Sequence, residues 1–254
     1  MFGSTPLTAH KMIVLFTDFG ADDLYVAQVK AALAQQSPAG TLVLDLLHRV
    51  PAFDAKAGAH LLAALQPQFP AGAVFLAVVD PGVGTVRDAA VLQADGKWYV
   101  GPDNGLLSVV AARATESRTW RILWRPQALS ASFHGRDLFA PVAAWVAAGT
   151  LAADKIQETP GLTVQLGADD LAEIVYIDHF GNLFTGLRAC NVPRSATIVA
   201  GEHRLRYARV FAEAPAGEAF WYDNSIGLIE IAIAAGNAAA RLGLEVGHAV
   251  GVTG

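Results

Sequence analysis

Two apolar runs of strand length constrain this chain most: Met12 to Thr17 (MIVLFT) and Ala73 to Val79 (AVFLAVV). Neither alternates apolar with polar residues. A strand that is apolar on both faces must be covered on both faces, which is the situation inside a parallel sheet. The intervening segments fit that reading. Asp23 to Gln36 carries Leu24, Val26, Ala27, Val29 and Leu33 at helical spacing, Thr41 to Leu47 reads as a strand, and Asp54 to Leu65 as a helix stopped by Pro67. Asp95-Gly96, between two short β-prone segments, predicts a hairpin turn. Gly105 to Ala114 and Gly135 to Ala148 read as helices, with a strand at Trp120 to Trp124 between them. Alternating strands and helices predict an α/β domain with a mostly parallel sheet.

The character changes after about residue 150. Gln157 to Leu166 holds Pro160 and Gly161 and has no clear period. From Leu171 the segments are short and β-like: Ala172 to Ile177, Asn182 to Leu187, Ala196 to Val199, Arg204 to Val210, Gly227 to Ile233 and His248 to Val252, with one short helix at Gly236 to Leu242. That pattern predicts a small β-barrel or sandwich. The division expected is an N-terminal α/β domain over 1–155 with a frayed tail at 1–11, a linker over 156–170, and a C-terminal β-barrel domain over 171–254.

Composition excludes several classes. With 53% apolar and 16% charged residues the chain is neither disordered nor a coiled coil. A net charge of −5 gives no basic footprint, so no nucleic-acid partner is expected. The single cysteine, Cys190, rules out a disulfide framework and a cysteine-based zinc site. Mean hydropathy is high at +0.37. Yet the longest uncharged stretch, Leu138 to Ala153, is broken by Pro141, Gly149 and Thr150, too short for a span of about 20 residues. No basic segment precedes an apolar one at the N-terminus, so the expectation is a cytoplasmic protein with no membrane partner.

Five polar clusters interrupt the apolar framework. Thr17-Asp18-Phe19-Gly20, with Asp22 and Asp23, lies where a buried strand ends, the edge at which open α/β sheets bind ligands. The bland reading makes Asp18 a helix N-cap, with Asp22 and Asp23 favouring the helix dipole. The Asp-Phe-Gly triplet is not the kinase metal motif, because no Gly-rich loop, strand lysine or His-Arg-Asp loop precedes it. Asp80-Pro-Gly-Val-Gly-Thr-Val-Arg87 ends the third strand. It is neither a dinucleotide fingerprint nor a P-loop, and its bland reading is a salt bridge closing a loop. Ser132-Phe-His-Gly-Arg-Asp137 places His134 at a loop-to-helix junction. Ile177-Asp-His-Phe-Gly-Asn182 and Asp223-Asn-Ser-Ile-Gly227 are polar turns beside strands. None has metal-ligand spacing such as His-Glu-x-x-His, so no metal is expected.

Taken in order, TDFG…D…Y, DPGVGTVR, PDNGLL, FHGRDLFAP, IDHFGNLFT and NSIGLIEIA…GNAA resemble the S-adenosylmethionine (SAM) hydrolases that form adenosine. These are the SAM hydroxide adenosyltransferases, of the superfamily that includes fluorinase and chlorinase. The resemblance spans about residues 12 to 252. It implies an N-terminal α/β domain, a C-terminal β-barrel, and a homotrimer whose subunits share active sites. It also implies hydrolysis of SAM to adenosine and L-methionine, by in-line attack of water or hydroxide on ribose C5′, with SAM as substrate and no cofactor.

The family's catalytic Asp, Arg and His fall on Asp80, Arg87 and His134. Fluorinase carries a tyrosine at the position of Asp80 and a halide-binding serine at that of Gly135. A carboxylate at the nucleophile repels an incoming halide. The resemblance further implies that Asp18 binds the ribose hydroxyls, Phe53 faces the nucleoside and Asp178 lies near the methionine ammonium. Asn182 and Phe184 fall at the adenine and Ser225 at the methionine carboxylate. Asp23, Asn104 and Glu230 fall in the same motifs as further substrate-binding candidates. Gly186, where the family often has asparagine, and His248, where it often has an acidic residue, are departures. The alternatives are a halide-using enzyme forming 5′-halo-5′-deoxyadenosine, a catalytically silent SAM or adenosine sensor, and a generic nucleotide-binding oxidoreductase, which lacks its glycine fingerprint.

Overall fold

A computed structural model describes residues 12–254, so the expected tail at 1–11 lies outside the described residues. The chain forms two compact units, one carrying the chain up to Ala168 except Ala63–Gln66, and the other those four residues with Asp169–Gly254.

In the first unit β1 (Met12–Thr17), α1 (Leu24–Gln36), β2 (Leu42–Leu47), α2 (Ala55–Leu65) and β3 (Val74–Val78) alternate. They are followed by β4 (Ala89–Ala94), β5 (Lys97–Pro102), α3 (Ser108–Arg113), β6 (Ser117–Ile122), α4 (Ala140–Ala148) and β7 (Ile156–Thr159). The seven strands form one sheet in the order β2-β1-β3-β5-β4-β6-β7. β2, β1, β3 and β5 are parallel, whereas β4, β6 and β7 join antiparallel. The parallel half is the buried half: every residue of β3, and all of β1 except Met12, is buried. Helices α1 and α4 cover it with Val29, Leu33, Val142, Ala143 and Val146. α4 is apolar on all sides, as a helix enclosed within a core must be. Each fully buried valine or leucine contributes about 1.5–3 kcal/mol. The Asp95-Gly96 turn joins β4 to β5, both residues adopting positive φ (45° and 77°), as a tight hairpin requires.

Register decides where the polar clusters land. Thr17 of β1 lies opposite Val78 of β3, so the carboxyl ends of the two strands coincide. Asp18 and Asp80 therefore emerge at one edge of the sheet, although 62 positions separate them in the chain.

The second unit contains β8 (Leu171–Ile177), β9 (Leu183–Arg188), β10 (Thr197–Ala200), β11 (His203–Tyr207), β12 (Ala219–Asp223), β13 (Leu228–Ile233), α5 (Ala238–Leu242) and β14 (Val250–Thr253). Their order is β14-β10-β11-β12-β13-β9-β8. The sheet nearly closes on itself. Ile174 of β8 donates its N–H to His248 O (2.9 Å) and accepts from Gly247 N–H (2.8 Å), just ahead of β14. Trp221, Ile198, Ile229 and Ile231 fill the interior.

Some expected boundaries move. The first four residues of the expected linker, Ile156–Thr159, form the edge strand β7, paired with β6. Pro160 and Gly161 mark the end of that strand rather than the middle of a connection. The strand expected at Trp120 to Trp124 lies at Ser117–Ile122; exposed Ser117 and Arg118 hid its start, while Leu123 and Trp124 both donate to Lys155 O (2.8 and 3.1 Å). The helix expected from Gly135 begins as one π-helical turn, Gly135–Phe139, before α4. Such turns concentrate at functional sites. Among the described residues no helix is long and apolar enough to cross a membrane.

Candidate active site

A cavity of about 350 Å³ opens at the carboxyl edge of the parallel strands, within the size range of small-molecule sites. Asp18, Asp23, Phe53, Asp80 and His134 line it, together with an aromatic wall of Phe19, Tyr25 and Phe133. The three rings contact one another at centroid distances of 5.3–5.9 Å.

Asp80, Arg87 and His134 meet. Arg87 grips Asp80 with two parallel hydrogen bonds, Nε to Oδ1 at 2.6 Å and Nη2 to Oδ2. Both side chains are nearly enclosed, 12% and 5% exposed for Arg87 and Asp80. Arg87 Nη1 also donates to Asp88 O (3.0 Å), and the guanidinium lies 5.3 Å over the Phe139 ring. Its Nη2 reaches His134 Nδ1 at 3.4 Å. A guanidinium only donates, so His134 Nδ1 is the acceptor and the ring proton sits on Nε2. Burial, reinforced by the Arg87 charge, holds the His134 pKa below its ordinary value against the opposing pull of Asp80. His134 is thus a neutral ring with its one lone pair aimed at Arg87. The salt bridge expected on the bland reading is real, and it is coupled to a histidine 47 positions away.

Gly84 makes that meeting possible. Its φ is +79°, and a Cβ there would fall 2.4 Å from Ala131 O, in the segment leading to His134. Only glycine lets the Asp80–Arg87 loop lie so close. Asn104 adds a tie beneath the loop, donating from Nδ2 to Val79 O (2.8 Å) and accepting from Leu106 N–H (3.3 Å). Its amide is used inside the framework and does not line the cavity.

Asp18 is not a helix cap. Asp23 caps α1, accepting from Leu24 N–H at 2.6 Å. Asp18 instead accepts from Phe53 N–H at 3.0 Å. Burial pushes the Asp18 pKa above its ordinary value, the Asp80 charge pushes the same way, and the Phe53 N–H opposes them. Phe53 holds φ at +63°, a rare conformation for a bulky side chain, and stands 75% exposed at the cavity.

In the second unit the remaining candidates also gather. Asp178 accepts from Phe180 N–H (2.9 Å) and Asn182 N–H (2.8 Å) through Oδ1, and from Asn182 Nδ2 (3.1 Å) through Oδ2. Phe184 lies across the sheet from both Tyr176 and Glu230. Glu230 is 3% exposed; it accepts from the Tyr222 hydroxyl and from Asn224 Nδ2 (3.1 Å). Burial raises the Glu230 pKa, against those two bonds and with the charge of Asp178. The same Asn224 turns its Oδ1 to Ile226 N–H (3.1 Å) and Leu228 N–H (2.9 Å), fixing the turn that presents exposed Ser225. Of the two departures, Gly186 pairs with Leu171 across β8 and β9. His248 Nδ1 accepts from Glu245 N–H (2.7 Å) and closes a turn.

Sequence reasoning did not single out Phe133, Tyr222 or Asn224. Phe133 sits inside FHGRDLFAP and Asn224 inside a polar turn already noted, so position beside His134 and Ser225 was the available signal. Tyr222 has none, because only its cross-strand pairing brings it to Glu230.

Comparison with known proteins follows the same division. The model of the SAM hydroxide adenosyltransferase N-terminal domain matches residues 13–157, and that of the C-terminal domain matches residues 172–251. A Thermus thermophilus protein named (R)-S-adenosyl-L-methionine hydrolase is 39% identical, over 94% of this chain and 98% of its own length. A fluorinase of an Actinoplanes species is 27% identical over 98% and 99%. A crystal structure from Thermotoga maritima, described as an uncharacterized conserved protein, superposes with a TM-score of 0.85 at 29% identity, covering 96% of this chain and 100% of its own. With both halves matched in order, the chain belongs to the SAM hydroxide adenosyltransferase family.

Proposed function

We propose that this protein hydrolyses SAM to adenosine and L-methionine. The observation that carries the reading is the Asp80–Arg87–His134 cluster at the edge of a cavity of nucleoside size. The water oxygen attacks ribose C5′ in line, the C5′–S bond breaks with its electron pair going to sulfur, and methionine leaves as a neutral thioether. Because the sulfonium departs neutral, the leaving group needs no Lewis acid, and the reaction is expected to run without metal or cofactor.

The difficulty lies with the nucleophile, which must be aligned and must lose a proton. Alignment alone contributes much of the barrier reduction in such steps. Asp80 accepts a hydrogen bond from the water and aims its lone pair at C5′. Arg87 holds Asp80 in place and stabilises the developing hydroxide. His134 has its lone pair directed at Arg87, so it serves as an Nε2–H donor while Asp80 takes the proton. Asp18 is the ribose ligand and Phe53 the nucleoside face. Asp178, Asn182, Phe184 and Ser225 supply methionine and adenine contacts.

Fluorinase likeness makes halide attack the second reading. The carboxylate of Asp80 disfavours it, since an anion entering beside Asp80 meets like charge. The test is turnover in ¹⁸O-water after chelation. Label in the adenosine 5′-hydroxyl is the expected result. Metal-dependent activity, or halide-dependent formation of 5′-halo-5′-deoxyadenosine, overturns it.

The active assembly belongs to the same proposal. A homotrimer, in which one subunit's N-terminal unit works with its neighbour's C-terminal unit, gives fully exposed Val86 and exposed Phe53 a covering partner. Cyclic trimers join unlike surfaces in this way. Co-expressed Asp80→Ala and Asp178→Ala chains, assayed at low SAM, where the first lacks turnover and the second binds weakly, then show more activity in mixed trimers than either chain alone.

A further inference from the structure

A chain of hydrogen bonds runs beneath Asp18 and has no part in the chemistry described above. Lys30 on α1 donates to Asp45 Oδ2 at 2.6 Å. Asp45 Oδ1 lies 3.1 Å from His48 Nε2, and His48 Nδ1 lies 2.8 Å from Thr17 Oγ1. Asp45 is acceptor-only when ionised, so Nε2 donates to it and, in the neutral ring, Nδ1 accepts the Thr17 hydroxyl proton. Burial alone would raise the Asp45 pKa; the bonds from Lys30 and His48 outweigh it and hold the carboxyl below the ordinary range.

The connectivity of Asp45, His48 and Thr17 is that of a hydrolase triad, but the hydroxyl is no nucleophile. Thr17 is 2% exposed and His48 7%, and Thr17 Oγ1 also accepts from Phe19 N–H at 3.3 Å. What the chain does reach is the backbone on either side of Asp18. Thr17 O accepts from Val50 N–H (3.2 Å), and Gly20 N–H donates to His48 O (2.7 Å). Together with the His48–Thr17 bond, these tie segment 17–20 to segment 48–50 both before and after residue 18. Phe53, which donates to the Asp18 carboxylate itself, follows on the same stretch of chain.

We infer that Asp45, His48 and Thr17 are positioning residues that hold the Asp18 carboxylate in the orientation needed to grip the ribose 2′- and 3′-hydroxyls. This rests on the reading of Asp18 as the ribose ligand. Buried networks in which every member is satisfied rigidify what they contact, and losing one partner strands the others. Two carboxylate–hydroxyl bonds to a diol need both oxygens aligned, so a small tilt weakens diol binding while leaving contacts to the base untouched.

The test compares binding of adenosine and 2′-deoxyadenosine to the intact enzyme by calorimetry, with thermal melting alongside. Thr17→Val, which keeps the shape and removes the hydroxyl, is expected to weaken adenosine binding about tenfold, the size expected of a charged hydrogen bond. It should weaken 2′-deoxyadenosine, which keeps only the 3′-hydroxyl, by less, so that the preference between the two narrows. Thr17→Ser should restore the preference. Asp45→Ala, at a side chain 43% exposed where water can replace part of the lost acceptor, should move the preference in the same direction by less. Asp18→Asn separates the two layers of the argument. Should Asp18→Asn keep the preference, the ribose assignment falls and takes the positioning role with it. Should Asp18→Asn lose it while Thr17→Val and Asp45→Ala keep it, the positioning role alone is overturned. If Thr17→Val does not fold, Asp45→Ala decides, and an unchanged preference there overturns the inference.

Discussion

The two candidate clusters are built in opposite ways. In the first unit, Asp80, Arg87 and His134 come from a strand end, a loop and a helix start, joined by bonds that span up to 47 positions. In the second, Asp178 satisfies itself within four residues, and Glu230 draws its partners from eight or fewer positions away. The first arrangement concentrates charge and leaves a neutral imidazole beside it. The second spends its carboxylates on fixing turns. A cluster assembled from distant elements depends on the fold to hold its geometry, whereas one assembled from local turns carries its geometry with it. The first is suited to activating a nucleophile and the second to presenting fixed contacts to a substrate.

The sharpest way to break this contrast is to remove its charged members. Arg87→Ala should lower turnover by about 10²–10³, the usual worth of a preorganised donor that stabilises developing negative charge. It also strands the nearly buried Asp80, and separating a buried pair costs about 3–5 kcal/mol. The Asp80→Ala/Arg87→Ala double variant should therefore melt higher than Arg87→Ala alone while remaining as inactive. Asp178→Ala should chiefly raise KM for SAM, by about 10-fold or more. Steady-state kinetics and melting curves check the three variants against the unaltered protein. A loss of turnover in Asp178→Ala equal to that in Arg87→Ala would erase the proposed division of labour.

A gentler pair of substitutions tests assembly rather than charge. Gly84 and Gly181 both adopt positive φ, and each lies against a neighbour that leaves no space for a Cβ: Ala131 O at 2.4 Å for Gly84, the Asn237 side chain at 2.2 Å for Gly181. Alanine at either place costs about 1–2 kcal/mol in backbone conformation alone. Gly84→Ala should separate the Asp80–Arg87 loop from His134 and reduce kcat. Gly181→Ala should distort the Asp178–Asn182 turn and raise KM. Equal effects on kcat from both would contradict the division between the clusters.

How much of this was legible in the sequence follows from the same contrast. The parallel strands β1 and β3 were visible because uninterrupted apolar runs have few other solutions. The turns at Asp178 and Asn224 were visible as local polar composition. The Asp80–Arg87–His134 cluster was not, as geometry: a salt bridge seven positions long and a histidine far down the chain each read as ordinary structure. Only the order of the motifs tied them together. Strand β7 hid behind Pro160 and Gly161, because an edge strand has one solvated side and loses the apolar signature, and the start of β6 hid behind exposed Ser117 and Arg118. Asp18 read as a possible cap because caps and ligands favour the same residues at the same strand-to-helix junction. The Phe53 N–H that claims it comes from another loop.

The acid limb of the pH profile sharpens the comparison from the electrostatic side. His134 has its pKa held below the ordinary 6.5 by burial first and by Arg87 second, with Arg125 adding to it and Asp80 and Asp137 opposing. The neutral ring is the form present above that lowered value. As pH falls through it, His134 gains a proton on Nδ1 and confronts Arg87 with like charge. Turnover should therefore persist below 6.5 before declining, and Arg87→Lys should shift the limb. A limb centred at or above 6.5 would mean that the resting contact is not the catalytic one.

The smallest expected effect comes from Tyr222→Phe. The hydroxyl donates to buried Glu230, and its own pKa is pushed up, mainly by burial and then by that bond and the charges of Glu230 and Asp178. Removing it leaves one Glu230 oxygen without this donor while Asn224 keeps the other. A hydrogen bond to a charged or partly charged acceptor is worth about 1.5–3 kcal/mol, and Tyr222 is part-exposed, so water recovers some of the loss. The expectation is a melting temperature a few degrees lower, of the order that about 1 kcal/mol produces in a chain of this size. KM should rise by a small factor, because Asn224 still fixes the Ser225 turn, and kcat should hardly move. Glu230→Gln should do more, since an amide has one acceptor oxygen where the carboxylate serves two donors. Should Tyr222→Phe instead abolish turnover with an intact melting curve, Glu230 and its hydroxyl partner would belong with the nucleophile rather than with the turns, and the two clusters would have to be read as one catalytic system.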